Sequence, residues 1–364
     1  MRAAAPVSAV RAAAYTVPTD APEADGTYAW TSTTLVLAEV DAGGCTGIGY
    51  TYADTATATL VRDHLARVVT GGDALDNARL WCAMVQSIRN LGRPGIASMA
   101  IAAVDNALWD LKGKLLDVPV VVLLGAVRDR VPVYGSGGFT CYDDRTLSDQ
   151  LGRWAERGIA SVKMKVGSDA ARDPERVAVA RRAIGAATAL FVDANGAYAR
   201  KQALALAGAF QEEGVTWFEE PVSSDDLEGL RLVRDRGRAG MEVSAGEYGY
   251  DLPYFERMLA AGAVDVLQAD ATRCAGITGF MRVGALCEAR CLPLSSHCAP
   301  ALHVHPACAC GPLRHVEYFH DHARIEAMLF DGAPAPVQGR LAPDRTRPGL
   351  GLDFRSADAE RYRT

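Results

Sequence analysis

Apolar residues change their spacing twice along this chain, and the changes divide it. From Val7 to Thr55 they follow the pattern of strands and turns, and the run TTLVLAEVDAGGCTGIGYTY predicts a β-hairpin turning at Asp41-Ala42-Gly43-Gly44. The opening MRAAAPVSAVRAAAYTVPTD predicts a first strand, because Pro6 and Arg11 interrupt the apolar core a targeting signal needs. From Leu60 to Val69 the spacing lengthens to the helical period. In ASMAIAAVDNALWDLKGKLL, Ile101, Val104, Leu108 and Leu111 lie on one helical face. Residues 1–125 are therefore expected to form an α+β domain.

From Val131 onward short apolar runs alternate with helical stretches. Eight runs, VPVYGS, SVKMKV, LFVDAN, TWFEEP, EVSAGE, DVLQAD, LPLSSH and HVEYF, predict eight strands in succession. Seven of them carry an ionisable residue at or near the C-terminal end, Lys165, Asp193, Glu219, Glu247, Asp270, His297 and Glu317, at gaps of 28, 26, 28, 23, 27 and 20 residues. Each gap is close to one βα unit, and eight units close a TIM barrel whose strand C-termini converge on one mouth. A single strand-end carboxylate is usually a helix cap or a loop residue. Seven ionisable residues in phase with the repeat are not explained that way.

Alternation along a strand points Lys163 with Lys165, Asp193 with Asn195, Gln268 with Asp270, and His315 with Glu317. Three carboxylates on consecutive strands, Asp193, Glu219 and Glu247, would force a proton onto one another unless a cation joined them. A hard divalent ion with oxygen ligands, Mg²⁺, suits the set. Lys163 and Lys165 would flank this metal on one side, and on the other Asp270 would orient the imidazole of His297. A carboxylate substrate on the metal would then place its α-carbon between two proton-transfer groups.

The strings KMK, VDAN, WFEEP, AGE, QADATRCAGIT and SSH, in this order, resemble the enolase superfamily, in particular the mandelate racemase subgroup of the mandelate racemase and muconate lactonizing enzyme family. The resemblance extends to DNALWDLKGKLLDVPVVVLLG and the closing RPGLGLDF. It implies an α/β fold, a modified TIM barrel (β/α)7β over residues 126–334. An N-terminal α+β capping domain over 1–125 would be completed by the C-terminal segment 335–364. It assigns Asp193, Glu219 and Glu247 as Mg²⁺ ligands, Lys165 as general base, Lys163 as its partner near the substrate carboxylate, and His297 with Asp270 as the second base. Glu317 matches an acid that hydrogen-bonds the substrate carboxylate. Asp270 stands where the muconate-lactonising branch carries a lysine, which disfavours that branch. One departure is Ala275-Gly276, where paired glycines are usual.

The implied chemistry is removal of a proton α to a carboxylate through an enediolate that Mg²⁺, Lys163 and Glu317 stabilise. Lys163 would lower the pKa of Lys165 by like-charge repulsion. Two outcomes follow: dehydration of an acid sugar to a 2-keto-3-deoxy acid, or return of a proton from His297 in a racemase or epimerase. A polar specificity loop expected over TVPTDAPEADGTYAW, which offers Thr19, Asp20, Glu23 and Asp25, favours the acid sugar, with Thr19 and Asp20 as candidate substrate contacts. Asn195, Tyr52 and His320 join them as candidates. His320 to Arg324 either decorate the mouth or cap the last helix. A non-catalytic barrel would be expected to have lost a ligand or base, and none is lost; a Schiff-base aldolase has no need of three carboxylates.

Composition narrows the setting. The chain has 364 residues, 49% of them hydrophobic, and a formal net charge of −6. It carries no basic run and no apolar stretch of membrane length, so neither nucleic acid nor membrane is an expected partner. Nine scattered cysteines describe no disulfide framework, which favours the cytoplasm. HVHPACAC offers His303, His305, Cys308 and Cys310 at no standard zinc spacing, and is expected to be a packed helix. The family resemblance implies a homo-oligomer.

Overall fold

The computed structural model describes residues 4–237 and 239–364. Its first unit is an antiparallel sheet of β1 (Val7–Ala24), β2 (Ala29–Ala42) and β3 (Cys45–Tyr52), in that order. The β2–β3 turn is made by Gly43 and Gly44, both at positive φ, as the hairpin signal predicts. The helix Ile96–Leu116 lies across this sheet. It comes close because Gly47 and Gly49 have no side chain: a Cβ on Gly49 would stand 2.2 Å from the backbone nitrogen of Ala107.

That helix is buried on more than its apolar face. Ile101, Val104, Leu108 and Leu111 are buried, but so are Asp105, Asn106 and Asp110. Its far side meets the barrel, where Asp105 accepts a hydrogen bond from the backbone N–H of Thr278 (2.9 Å) and Asn106 accepts one from Ile277 (2.9 Å). These are orphan amides in the first turn of the helix Gly276–Ala289, so the first unit caps a barrel helix. Ala275 is held at φ +66 just before them, a left-handed conformation that costs a residue with a Cβ about 1 kcal/mol.

The second unit is the predicted barrel. β4 (Val131–Gly137), β5 (Ser161–Lys165), β6 (Ala189–Asp193), β7 (Val215–Glu219), β8 (Glu242–Ala245), β9 (Val266–Ala269), β10 (Leu294–Ser296) and β11 (Leu313–Phe319) pair in sequence order, all parallel. β11 closes on β4, with Glu317 opposite Tyr134. Inside, Tyr134, Phe191 and Trp217 pack around His315, whose Nδ1 lies 2.9 Å from the Ser295 hydroxyl. Burial lowers His315 to about 3, so this imidazole is a neutral part of the core.

After β11 the helix His320–Leu329 carries the chain back toward the sheet, and the remaining segment touches both units. Arg340–Leu341 pairs with β4, and Tyr15 of β1 bridges Arg363. HVHPACAC lies in the buried helix Pro300–Ala309. His305 accepts from Val121 N–H (3.2 Å) and its other nitrogen meets the Leu350 carbonyl (3.0 Å). His303 is satisfied by Ala271 N–H and the Ala299 carbonyl. These are core histidines that tie segments together. No helix among the described residues is long and apolar enough to cross a membrane.

Candidate active site at the barrel mouth

The strand-end residues that the repeat singles out meet at the C-terminal end of the barrel. Asp193, Glu219 and Glu247 end or follow β6, β7 and β8, and one carboxylate oxygen from each lies within 4.8 Å of the others. All three are buried. Lys163 forms ion pairs with Glu219, with Glu317 (2.8 Å) and with Asp193 (3.3 Å), while its ammonium lies 5.4 Å from the Tyr134 ring centre. Lys165 donates to Asp193 at 2.5 Å. Across the mouth His297 Nδ1 lies 2.8 Å from Asp270, and His297 Nε2 lies 3.5 Å from Glu247. Glu317 accepts the backbone N–H of Cys298 (2.7 Å).

Electrostatics follow from packing these charges together. Burial opposes ionisation of Asp193, but Lys165 and Lys163 outweigh it and hold the carboxyl down at about 2. Glu219 is pushed well above the usual carboxylate range by burial and by Asp193. Asp270 stays well below that range despite burial, because it is hydrogen-bonded to His297. Like-charge repulsion does not set the state of Lys165. Burial and Lys163 both lower it, yet the carboxylate of Asp193 in direct contact leaves it raised above an ordinary lysine. In this arrangement the two lysines neutralise the carboxylates.

The three-carboxylate set fits a divalent cation. Its donors are all hard oxygens. Glu247 Oε2 is buried without a hydrogen-bond donor, an orphan acceptor of the kind a metal satisfies. Adjacent Glu220 is also buried, at φ +38, with an orphan oxygen and a carboxyl raised by burial and by Glu247. The sequence reading passed over it, although the second Glu of WFEEP was in plain view.

A cavity of about 500 Å³ opens above these groups, roofed by the antiparallel sheet. Lys165, Asn195, Glu247, Asp270, His297, Glu317 and Tyr52 all line it. Asn195 reaches it from φ +47, held by its N–H on Asp193 (2.9 Å). Thr19, Asp20 and His320 do not line it, and the specificity loop expected over Thr16–Trp30 is not a loop. β1 and β2 continue through it, leaving only a tight turn in which Asp25 Oδ1 accepts the N–H groups of Thr27 (2.6 Å) and Tyr28 (2.7 Å). A register shift between Pro18 and Glu23 turns Asp20 toward the helix His320–Leu329, where His320 Nε2 lies 3.0 Å from it.

Residues two apart on a helix point about 200° apart, so His320 faces outward and His322 faces the cavity. Contacts that sequence reasoning missed include Ser32, Thr33, Thr34, Asp54, Tyr248, Thr272, Arg273 and Cys298. Alternation along β2 offered a signal for Ser32 and Thr34, which share a face, and none for Thr33 between them. Arg273 and Tyr248 sit in loops with no periodic signature.

Two family models match the chain. Residues 10–125 match the mandelate racemase / muconate lactonizing enzyme N-terminal domain, and residues 146–359 match the enolase C-terminal domain-like model. The chain belongs to the mandelate racemase and muconate lactonizing enzyme family. It is 33% identical over 357 residues to a 3,6-anhydro-α-L-galactonate cycloisomerase of Streptomyces coelicolor, covering 96% of this chain and 97% of that one. An L-rhamnonate dehydratase of Saccharopolyspora erythraea is 31% identical over 329 residues, 88% of this chain and 82% of its own.

Among solved family structures, a mandelate racemase/muconate lactonizing enzyme-like protein from Rubrobacter xylanophilus superimposes with a TM-score of 0.97. It is 53% identical and covers 99% of this chain and 100% of its own. A racemase from Streptomyces coelicolor A3(2) with bound magnesium gives 0.92 at 31% identity, covering 98% and 100%. Like these relatives, this family member is an enzyme.

Proposed function

We propose that this enzyme uses Mg²⁺ to remove the proton α to the carboxylate of an acid sugar and then expels the β-hydroxyl, giving a 2-keto-3-deoxy acid. The observation that carries the reading is the placement of Lys165 and the Asp270–His297 pair on either side of three clustered carboxylates. Asp193, Glu219 and Glu247 would hold the cation. Bound there, Mg²⁺ would supply positive charge that lowers the cost of the second negative charge created on the substrate carboxylate.

The chain's own groups then divide the work. Lys165 is kept protonated by Asp193, and with that carboxylate engaged as a ligand it would lose this partner, so that its Nζ would be free to accept the α-proton. Lys163, held in place by Glu317, presents its ammonium donors to the substrate carboxylate. His297, fixed by Asp270, gives its Nε2 proton to the departing hydroxyl on the opposite face. The polar lining from Ser32, Thr33, Thr34 and Asn195 suits a polyhydroxylated tail better than an aryl ring. The names of relatives, an L-rhamnonate dehydratase and L-talarate/galactarate dehydratases among them, support the same chemistry.

A second reading, cycloisomerisation, is favoured by the cycloisomerase that aligns with nearly the full chain, and it shares the first step. The test is a panel of acid sugars incubated with enzyme and Mg²⁺, with 2-keto acid detected as its semicarbazone. The dehydratase reading expects absorbance that EDTA abolishes and Mg²⁺ restores. Consumption of an acid without any keto acid would contradict it.

A further inference from the structure

The cavity has a charge asymmetry that its catalytic floor does not need. Its lysine and arginine residues are Lys165 and Arg273, and both stand at the floor, each paired with a carboxylate there. Lys165 is on Asp193. Arg273 Nη1 is on Glu247, 3.1 Å from its carbonyl and 3.3 Å from its carboxylate. Of the two lining imidazoles, His297 is engaged by Asp270. His322 is stacked on Tyr52 at 3.4 Å between ring centres, with Nδ1 facing the Ala299 N–H at 3.3 Å. Burial lowers His322 to about 3, so it brings no positive charge.

The roof carries the opposite sign. Asp25, in the β1–β2 turn, and Asp54, just after β3, both line the cavity. Each uses Oδ1 to hold its own turn, Asp25 on Thr27 and Tyr28, Asp54 on the N–H of Ala56 (2.8 Å). Neither Oδ2 has a protein donor among the described residues. An acceptor-only carboxylate facing a ligand pairs with hydroxyl donors and repels a second carboxylate.

We propose that this site selects monocarboxylate acid sugars over dicarboxylates. Asp25 and Asp54 accept hydroxyls of a neutral polyhydroxylated tail and exclude a terminal carboxylate. The inference rests on the acid-sugar reading above and adds to it which end groups the substrate carries. A dicarboxylate would bring its second charge to a roof whose lining carries two carboxylates and no lysine or arginine, and an unpaired charge taken from water is held far more weakly than a hydroxyl.

The test compares aldonates with aldarates of matched configuration, by kcat/KM with Mg²⁺ and by calorimetric binding to Lys165→Ala with Mg²⁺. The expected preference for the aldonate is on the order of 100-fold in both. In Asp25→Asn/Asp54→Asn, which keeps the turn acceptors, it should shrink to about 10-fold or less, mainly by gain on the aldarate. Asp54→Asn alone should show part of that shift, should the double variant fail to fold. Equal or better binding of aldarates, binding of neither class, or a ratio unchanged in the variants would overturn the selection. Because binding is read separately, absence of turnover with a preserved binding ratio would sink the dehydration reading while leaving the charge selection standing.

Discussion

Asp270 and His297 depend on each other at the scale of single residues. The carboxylate fixes the ring through Nδ1 and leaves Nε2 toward the cavity, so Asp270→Asn should leave the fold intact but lose the tautomer and orientation. We expect kcat to fall on the order of 10²-fold with little change in melting temperature, as steady-state assays and calorimetry would show. Thr19 and Asp20 supply the opposite expectation. Thr19→Ala and Asp20→Ala should leave KM within about twofold of wild type, since neither residue lines the cavity; surface changes of this kind are usually close to neutral.

The contrast shows what the sequence makes legible. Asp193, Glu219 and Glu247 stand at the end of a repeat, so their convergence follows from the period alone. Asp20 stands in a hairpin whose facing is set by a register shift and by a helix 300 residues away. No local pattern records that.

Elements are joined by buried polar groups with identifiable stakes. Asp110 accepts the N–H of Ile48 on β3 (2.8 Å) and of Leu350 in the C-terminal segment (2.7 Å), and pairs with Lys114 at 2.7 Å. Asp110→Ala would orphan two buried amides, a cost of about 1–3 kcal/mol each. Denaturant titration should show a loss of roughly 2–6 kcal/mol, and a loss under about 1 kcal/mol would mean that the amides find other partners.

Glu326, in the helix His320–Leu329, accepts the hydroxyl of Tyr50 on β3 (2.5 Å) and the N–H of Ala301 (2.9 Å). Burial raises its carboxyl to about 8, so the folded state binds this proton more tightly than the unfolded chain does. The associated stability is fully present below the unfolded value near 4.5 and is lost as pH rises through about 8. Thermal melts from pH 5 to 9 should therefore fall with pH, and Glu326→Gln should flatten that slope. The pattern of the chain announced the strands and helices that carry these residues. It could not announce that the helix Ile96–Leu116 would be covered on both sides, because its second partner lies about 170 residues further on.

At the scale of the whole molecule, the barrel supplies the acid–base and charge chemistry, and the antiparallel sheet supplies the roof. The 20-to-28-residue beat made the barrel legible, since closure needs only eight units in order. The roof was less legible: it depends on how β1 and β2 overhang the mouth, which is fixed by docking through glycines at 47 and 49 and by the returning C-terminal segment.

The central claim, abstraction of an α-proton by Lys165, is tested most directly with an acid sugar deuterated at C2. Wild-type enzyme with Mg²⁺ in H₂O should release that deuterium to solvent, read as HDO by deuterium NMR. Lys165→Ala should release it on the order of 10²–10⁴-fold more slowly. Consumption of the acid with the C2 deuterium retained, or release from Lys165→Ala as fast as from wild type, would contradict the account.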